Sequence, residues 1–212
     1  MKRLLCIAGV LFFSVSVLAS GELEINDSPL TLILKDGNQA RVSSCADFIS
    51  LRKAGETIKE LPNLSDPDYH TAKEALFSCW LQAYTLENSM ISTKETKPSI
   101  LKVLKHLPAN KAYILSNEER LNVEKNYASK TIFEYTPDLT LKGERAESPS
   151  RFTGYILDNY YSFVNYKGNK LNIISIIGYS IGGTASEKVF YRIDSSNNRI
   201  WTVTKLDENS PL

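Results

Sequence analysis

Ser180 lies between two glycines in the pattern Gly178-Tyr-Ser180-Ile-Gly182, directly after an apolar stretch at residues 173–177. A serine hydroxyl becomes a nucleophile when a neighbouring base accepts its proton, and glycines allow the sharp turn that exposes such an oxygen. The pattern therefore makes Ser180 a candidate nucleophile. The rest of the sequence offers no phosphate-binding glycine loop and no His-Glu-x-x-His pattern, so we expect no cofactor.

The stretch IISIIGYSIGG, residues 173–183, resembles the nucleophile elbow of the α/β-hydrolase family. The resemblance implies a helix after the serine, and then an acid and a histidine that complete a catalytic triad. The sequence departs from this pattern, because no histidine follows Ser180 and residues 185–193 favour a strand. We therefore expect Gly178, Gly182 and Gly183 to mark a bend or bulge in a sheet.

The first 19 residues have the composition of a secretory signal peptide. Lys2 and Arg3 precede an apolar run, Leu4–Leu18, and Ala19 is a small residue of the kind that precedes a cleavage site. The run is shorter than the roughly 20 apolar residues that a membrane-spanning helix needs. The sequence thus predicts a mature chain of residues 20–212 without a transmembrane segment, located in the periplasm or secreted.

Removal of the signal peptide would leave two cysteines, Cys45 and Cys79. Disulfides form and persist in the compartments that exported proteins enter, so we expect these two cysteines to be paired. Two free thiols are the alternative. We expect no metal site, because the two cysteines and two histidines do not have the spacing that is typical of zinc ligands.

The mature chain would carry 23 basic and 24 acidic residues, a formal charge of −1. Nucleic acid and anionic membranes are therefore not implied as partners, since both require a concentrated basic face. A local exception is a group of lysines around one short predicted helix, which is either a solvated helix face or a docking patch: Lys94, Lys97, Lys102, Lys105 and Lys111.

A hairpin and then helices are predicted for the first part of the mature chain. Asp36–Gly37 between two apolar runs is typical of a hairpin turn, and Ser43 or Ser44 is suited to cap a helix that ends near Gly55. Asp66 as N-cap and Pro67 would begin a longer helix. Its apolar stripe repeats at spacings of four and three, which would place a Cys45–Cys79 bond between the two helices: Ala72, Leu76, Cys79, Ala83, Leu86 and Met90.

Two weaker helices complete a helical part that we place at about residues 43–128. One ends before Pro108, and the other opens with a capping box formed by Ser116 and Glu119. The polar stretch 137–150 contains two prolines and a glycine, which predicts a mobile connection.

Residues 151–206 are rich in β-branched and aromatic residues and predict an antiparallel sheet of four or five strands. The dividing turns are expected at Asp158–Asn159, Gly168–Asn169, Gly182–Gly183 and Ser195–Asn198. Isoleucines on both faces of residues 173–177 predict a central, buried strand. The predicted fold class is therefore α+β. We expect a single domain, residues 20–212, in which a hairpin and disulfide-linked helices precede the sheet.

The sheet region also supplies candidate binding residues, because tyrosine and tryptophan provide rigid contact area at low entropic cost. These are Tyr155, Tyr160, Tyr161, Tyr166 and Trp201. The functional hypothesis is a secreted or periplasmic, non-enzymatic domain that binds another protein, such as an inhibitor or an immunity protein against an envelope-acting toxin. The alternatives are a secreted serine hydrolase that uses Ser180, and a periplasmic ligand carrier or envelope structural protein.

Overall fold

The computed structural model describes residues 22–25 and 27–212, and it shows the predicted α+β fold. The described chain forms a four-stranded and a seven-stranded antiparallel sheet together with five α-helices. The predicted signal peptide, residues 1–19, lies outside the described residues. Within the described ranges, no helix has the length and apolar character needed to cross a membrane.

The smaller sheet contains the predicted N-terminal hairpin. Its strands are β1 (Glu24–Ile25), β2 (Ser28–Leu34), β3 (Gln39–Val42) and β4 (Ile58–Glu60). β2 pairs with the other three strands. Gly37 has φ +90°, a left-handed conformation that glycine adopts without steric cost, and this allows the turn between β2 and β3.

Two helices pack beside this small sheet and are joined by the predicted disulfide. Helix α1 (Cys45–Lys53) begins with a capping box between Ser44 and Asp47. Helix α2 (Asp66–Glu87) is capped by Ser65, one residue earlier than predicted, because the Ser65 hydroxyl accepts a hydrogen bond from the Asp68 amide. Cys45 and Cys79 are bonded, with their Cα atoms 5.1 Å apart.

The predicted apolar stripe of α2 is buried only in its first part. Ala72, Leu76 and Cys79 belong to the core, whereas the Leu86 side chain is 51% exposed. Met90 is not helical. The helix ends at Glu87, and the chain turns through Ser89 (φ +49°) into a short strand that joins the larger sheet.

The larger sheet has more strands than the sequence predicts. Its strands are β5 (Met90–Ser92), β6 (Thr140–Lys142), β7 (Arg145–Ser148), β8 (Thr153–Asn165), β9 (Lys170–Ser180), β10 (Ser186–Asp194) and β11 (Thr202–Leu206). They follow the order β11-β10-β9-β8-β7-β6, and β5 also pairs with β8. The stretch 137–150 therefore differs from the predicted mobile connection: it contains the β6–β7 hairpin, which extends the sheet through β8.

Asp158 is a bulge within one long strand, and the turn predicted at Asp158–Asn159 is wrong. Leu157 lies opposite Ile176 and Asn159 lies opposite Ser175, so that Asp158 is an extra residue. A bulge reverses the alternation of side chains between the two faces of a strand. Tyr155 and Leu157 therefore face the same side as Tyr160.

The larger sheet is covered on both faces, and we call them the first and the second face. The first face packs against α1, α2 and the small sheet, with Ile173 and Phe190 among its residues. The second face packs against short helices and includes Ile174 and Tyr191. The isoleucines of β9 are thus buried on both sides, as predicted for a central strand. The covering helices of the second face are α3 (Ile100–Leu104), a 3-10 helix (Ala109–Lys111), α4 (Asn117–Asn126) and α5 (Ile132–Tyr135).

A partly buried ionic network links α2 to the first face. Lys188 of β10 forms ion pairs of 2.7 Å with both Glu74 and Asp158. The Ser175 hydroxyl donates a 3.0 Å hydrogen bond to the Asp158 carboxylate. Each charge in this network therefore has a partner, which offsets the cost of its partial removal from water.

Candidate functional site

Ser180 is the last residue of β9 and lies in a hairpin between two strands. Its amide donates a 3.0 Å hydrogen bond to the carbonyl of Ala185, and Thr153 lies opposite it on β8. The next element is the strand β10, whereas the hydrolase elbow requires a helix at this point. In this part of the described chain, the strand–turn–helix geometry of that family is absent.

The glycines around Ser180 have packing and turn roles. A Cβ atom on Gly178 would lie 2.5 Å from the Cβ of Tyr113, so the bare backbone at Gly178 lets the Tyr113 side chain lie directly on the sheet. Gly182 has φ +76°, which the tight turn after Ser180 requires. The pattern Gly-x-Ser-x-Gly is thus accounted for without chemistry at the serine.

Neither histidine is hydrogen-bonded to Ser180 in the described structure. His106 is in contact with the carbonyl of Arg199 through Nδ1, at 3.0 Å, and stacks on the Trp201 ring. His70 lies near the start of α2, edge-on to Tyr69. Among the described residues, the Ser180 hydroxyl therefore has no imidazole bonded to it that could accept its proton.

Ser180 nevertheless lines a small cavity at one end of the second face, which we call the Phe152 cavity. Its volume is about 150 Å³. Its walls come from the segment that crosses the sheet before α4, from α4 and α5, and from the start of β8. They include Tyr113, Leu115, Glu119, Tyr135, Arg151, Phe152 and Tyr155.

An ionic cluster forms the polar wall of the Phe152 cavity. The Arg151 guanidinium donates to the Glu119 carboxylate and to the Tyr135 hydroxyl, at 2.7 Å in both cases, and lies 3.8 Å from the centre of the Tyr135 ring. The Tyr135 hydroxyl also donates to Glu119. Ser116 caps α4 as predicted, but the second half of the predicted capping box is not formed, because the Glu119 carboxylate binds this cluster instead.

Two tyrosine hydroxyls at this cavity are held in their neutral form. Burial, together with the hydrogen bond to Glu119, raises the pKa of Tyr135 well above its usual range. Burial raises the pKa of Tyr155 to about 12, and its hydroxyl accepts a 3.1 Å hydrogen bond from the Tyr113 amide. Both hydroxyls therefore serve as fixed hydrogen-bonding groups at neutral pH.

Two large apolar side chains form an exposed rim on the same cavity. Phe152 is 69% exposed and Leu115 is 67% exposed. Phe152 also has φ +52°, a left-handed conformation that costs energy for a residue with a Cβ atom. Sequence reasoning missed this rim, because Phe152 resembles any aromatic residue at the start of a predicted strand.

The five aromatic binding candidates are not brought together. Tyr155 and Trp201 are buried on the second face, and Tyr161 packs on the first face against Phe77. Tyr166 is 81% exposed in the turn between β8 and β9. Tyr160 and Trp201 share a cavity.

That second cavity lies at the opposite end of the second face, and we call it the Trp201 cavity. Its volume is about 370 Å³. Its walls come from the segment that leads into α3, from the end of α3, and from the strands β8 to β10. They include Glu95, Lys102, His106, Tyr160, Lys170, Asn172, Asn198 and Trp201.

The five lysines that the sequence groups around one helix face different environments. Lys97 donates to the Asp158 carbonyl, Lys105 lies over the Phe133 ring, and Lys102 lines the Trp201 cavity. Lys111 lines a further small cavity next to Tyr113. Lys94 is exposed just before Glu95. The lysines therefore differ in their contacts.

A groove between α1 and α2 has mainly apolar walls. Its volume is about 360 Å³, and it is lined by Cys45, Ile49, Cys79, Ala83 and Leu86 among others. The described residues contain no group of three or more His, Cys, Asp or Glu side chains that could hold a metal ion.

No protein-family model, curated protein or solved structure matches this chain.

Proposed function

We propose that this chain is a secreted, non-enzymatic domain that binds another protein, and that the rim of the Phe152 cavity is the centre of the contact surface. The observation that supports this proposal is the exposure of Phe152 and Leu115, both by about two thirds, on one cavity. Aromatic side chains that fill a partner's pocket dominate the energetics of protein interfaces.

The backbone at Phe152 supports the same proposal. Left-handed backbone at a residue with a Cβ atom is disfavoured, and such strain is concentrated at binding and active sites. The Phe152 amide donates to the Pro149 carbonyl, and the Phe152 carbonyl accepts from the Ile181 amide. These bonds fix the backbone that carries the exposed ring, which lowers the backbone entropy that binding would cost.

The ionic cluster of Arg151, Glu119 and Tyr135 places ordered polar groups beside the apolar rim of the Phe152 cavity. Arg151 is bonded to Glu119 and to Tyr135, so its position is fixed before any partner arrives. An apolar centre beside ordered polar groups is typical of protein-binding surfaces. The cavity itself is small for a ligand carrier, because small-molecule sites usually measure roughly 300–1,000 Å³.

We further propose the periplasm or the extracellular space as the location. The N-terminal sequence supports export, and the Cys45–Cys79 disulfide is compatible with an oxidising compartment. An inhibitor or an immunity protein against an envelope-acting toxin is the class of binding protein that we propose.

The proposal is tested by site-specific photo-crosslinking in cells that express the full chain. A photoreactive phenylalanine analogue replaces Phe152 or Leu115, and the control replaces Tyr166, a still more exposed aromatic residue in the β8–β9 turn. We expect one protein adduct of defined mass from the first two positions and none from the control.

Two results would overturn the proposal. One is an adduct from position 166 without any adduct from positions 115 and 152. The other is labelling of the purified chain by a fluorophosphonate probe that Ser180→Ala abolishes, which would instead support a serine hydrolase.

A further inference from the structure

The Trp201 cavity has the size of a small-molecule site. Its volume of about 370 Å³ falls within the roughly 300–1,000 Å³ that such sites occupy. It lies on the same sheet face as the Phe152 cavity but at the other end of β8, where Tyr160 follows the bulge. It is therefore separate from the proposed protein-contact surface at the Phe152 cavity.

The aromatic wall of this cavity is fixed from two sides. The rings of His106 and Trp201 stack with their centres 5.0 Å apart and their planes 12° from parallel. The Trp201 amide donates a 2.9 Å hydrogen bond to the His106 carbonyl, and His106 Nδ1 lies 3.0 Å from the Arg199 carbonyl oxygen. Because a carbonyl can only accept, Nδ1 carries the proton and the ring orientation is set.

The charges at the cavity are unbalanced towards positive. The residues that line the cavity include two lysines, Lys102 and Lys170, and one carboxylate, that of Glu95. Glu95 is already bound, since it accepts a 2.8 Å hydrogen bond from the Tyr160 hydroxyl and pairs with Lys170 at 3.3 Å. Within the described chain, the Lys102 ammonium has no ion-pair or hydrogen-bond partner, so it is free to bind an anion.

A neutral donor completes the polar wall. The side-chain oxygen of Asn172 accepts a 2.8 Å hydrogen bond from the Ser162 hydroxyl, which fixes the amide and leaves its NH₂ group for another acceptor. Asn172 lies at the start of β9, on the same face as Lys170. The donors at the cavity therefore come from α3, which carries Lys102, and from β9, which carries Lys170 and Asn172.

From this arrangement we infer that the Trp201 cavity binds a small organic anion: a ring that carries a carboxylate or phosphate group. Lys102 and Lys170 bind the anionic group, and the ring packs along the His106–Trp201 wall. Charge-assisted hydrogen bonds from two lysines select against neutral ligands of the same shape.

The inference is tested with benzoate, phenyl phosphate and neutral benzamide as probes on the full chain. Binding is followed by NMR, through the side-chain signals of His106 and Trp201, which are unique to this cavity because the other histidine and tryptophan lie elsewhere. We expect saturable shifts with both anions and at least about tenfold weaker binding of benzamide.

Variants separate the charge effect from a general change in structure. The double change Lys102→Gln with Lys170→Gln should weaken benzoate binding by about tenfold or more. The matched control is Lys105→Gln, which alters a lysine of the same region that lies over Phe133 and does not line the cavity. It should leave binding unchanged.

Three outcomes would overturn the inference: no saturable shift with either anion, equal binding of benzamide, or undiminished binding by the double variant. An acetylated Asp-Phe-Asp peptide tests whether the carboxylate comes from a protein partner instead. Binding of the peptide without binding of benzoate would also overturn the assignment to a small ligand.

Discussion

The two faces of the larger sheet differ in what covers them. A 22-residue helix, a disulfide and a second sheet cover the first face, whereas short helices and irregular segments cover the second. The first face carries the Glu74–Lys188–Asp158 network, in which each charge is paired. The second face has a cavity at each end, one beside Phe152 and one beside Trp201.

This difference suggests a division of roles within one sheet. Long, cross-linked elements on the first face contribute stability, and short elements on the second face leave gaps that can hold ligands or partners. The two ends of the second face also differ from each other. Arg151 is bound by Glu119 and Tyr135 beside the apolar rim, whereas Lys102 is free at the Trp201 cavity.

The largest expected effect comes from breaking the disulfide on the first face. Cys45→Ser should lower the free energy of unfolding by about 3–4 kcal/mol, because the bond closes a loop between residues 34 positions apart. Urea unfolding measures the loss. Reductant should produce the same loss in the natural chain and no further loss in the variant. Equal unfolding midpoints with and without reductant would contradict this role.

An intermediate effect is expected from Asp158, which joins three elements on the first face. Burial raises the pKa of Asp158, but hydrogen bonds from Lys188 and Ser175 lower it by more, so the net pKa lies below its usual range. The stabilisation that the Asp158 carboxylate contributes is therefore present at pH values above its pKa in the unfolded chain. It is lost as the pH falls through the lower pKa of Asp158 in the folded chain. Asp158→Asn should lower the free energy of unfolding by about 2 kcal/mol at pH 7. The difference between the variant and the natural chain should become smaller below about pH 4.

Urea unfolding at pH 7 and at pH 3 measures this dependence. Glu124→Gln is the matched control, because Glu124 lies exposed on α4. It should leave the unfolding midpoint unchanged at pH 7. A loss for Asp158→Asn that is the same at both pH values would show that the carboxylate charge contributes nothing.

The smallest effect on stability is expected at Phe152, at the edge of the second face. Phe152→Gly relieves the left-handed strain, so it should be about 1 kcal/mol more stable than Phe152→Ala, which retains a Cβ atom. Thermal unfolding of the two variants, with the natural chain as reference, measures the difference. Equal stability of the glycine and alanine variants would show that the backbone there is not strained.

Local sequence signals predicted much of the fold. Asp36–Gly37 forms the hairpin turn, and Cys45 pairs with Cys79. The isoleucines of β9 are buried on both faces, as their lack of alternation indicates. These features depend on residues close together in sequence or on a single compositional pattern, and such signals are the most reliable.

The features that the sequence did not predict depend on contacts between distant residues. Glu119 has the spacing of a capping box, but Arg151 and Tyr135 attract its carboxylate. The hairpin at residues 140–148 is stabilised by pairing with β8, which its polar composition does not indicate. The Trp201 cavity joins α3, β9 and residue 201, and no local pattern links them.

The bulge at Asp158 determines which face of the sheet each later side chain of β8 occupies. If Asp158 were instead paired as an ordinary strand residue, strict alternation would exchange Tyr160 and Tyr161, so that Tyr160 would face the apolar layer beneath α2 and Tyr161 the space beside His106. The unpaired position of Asp158 therefore keeps the Tyr160 ring at the Trp201 cavity. Deletion of Asp158 would keep both ends of β8 on their present faces, because Leu157 and Asn159 already lie opposite the neighbouring residues Ile176 and Ser175.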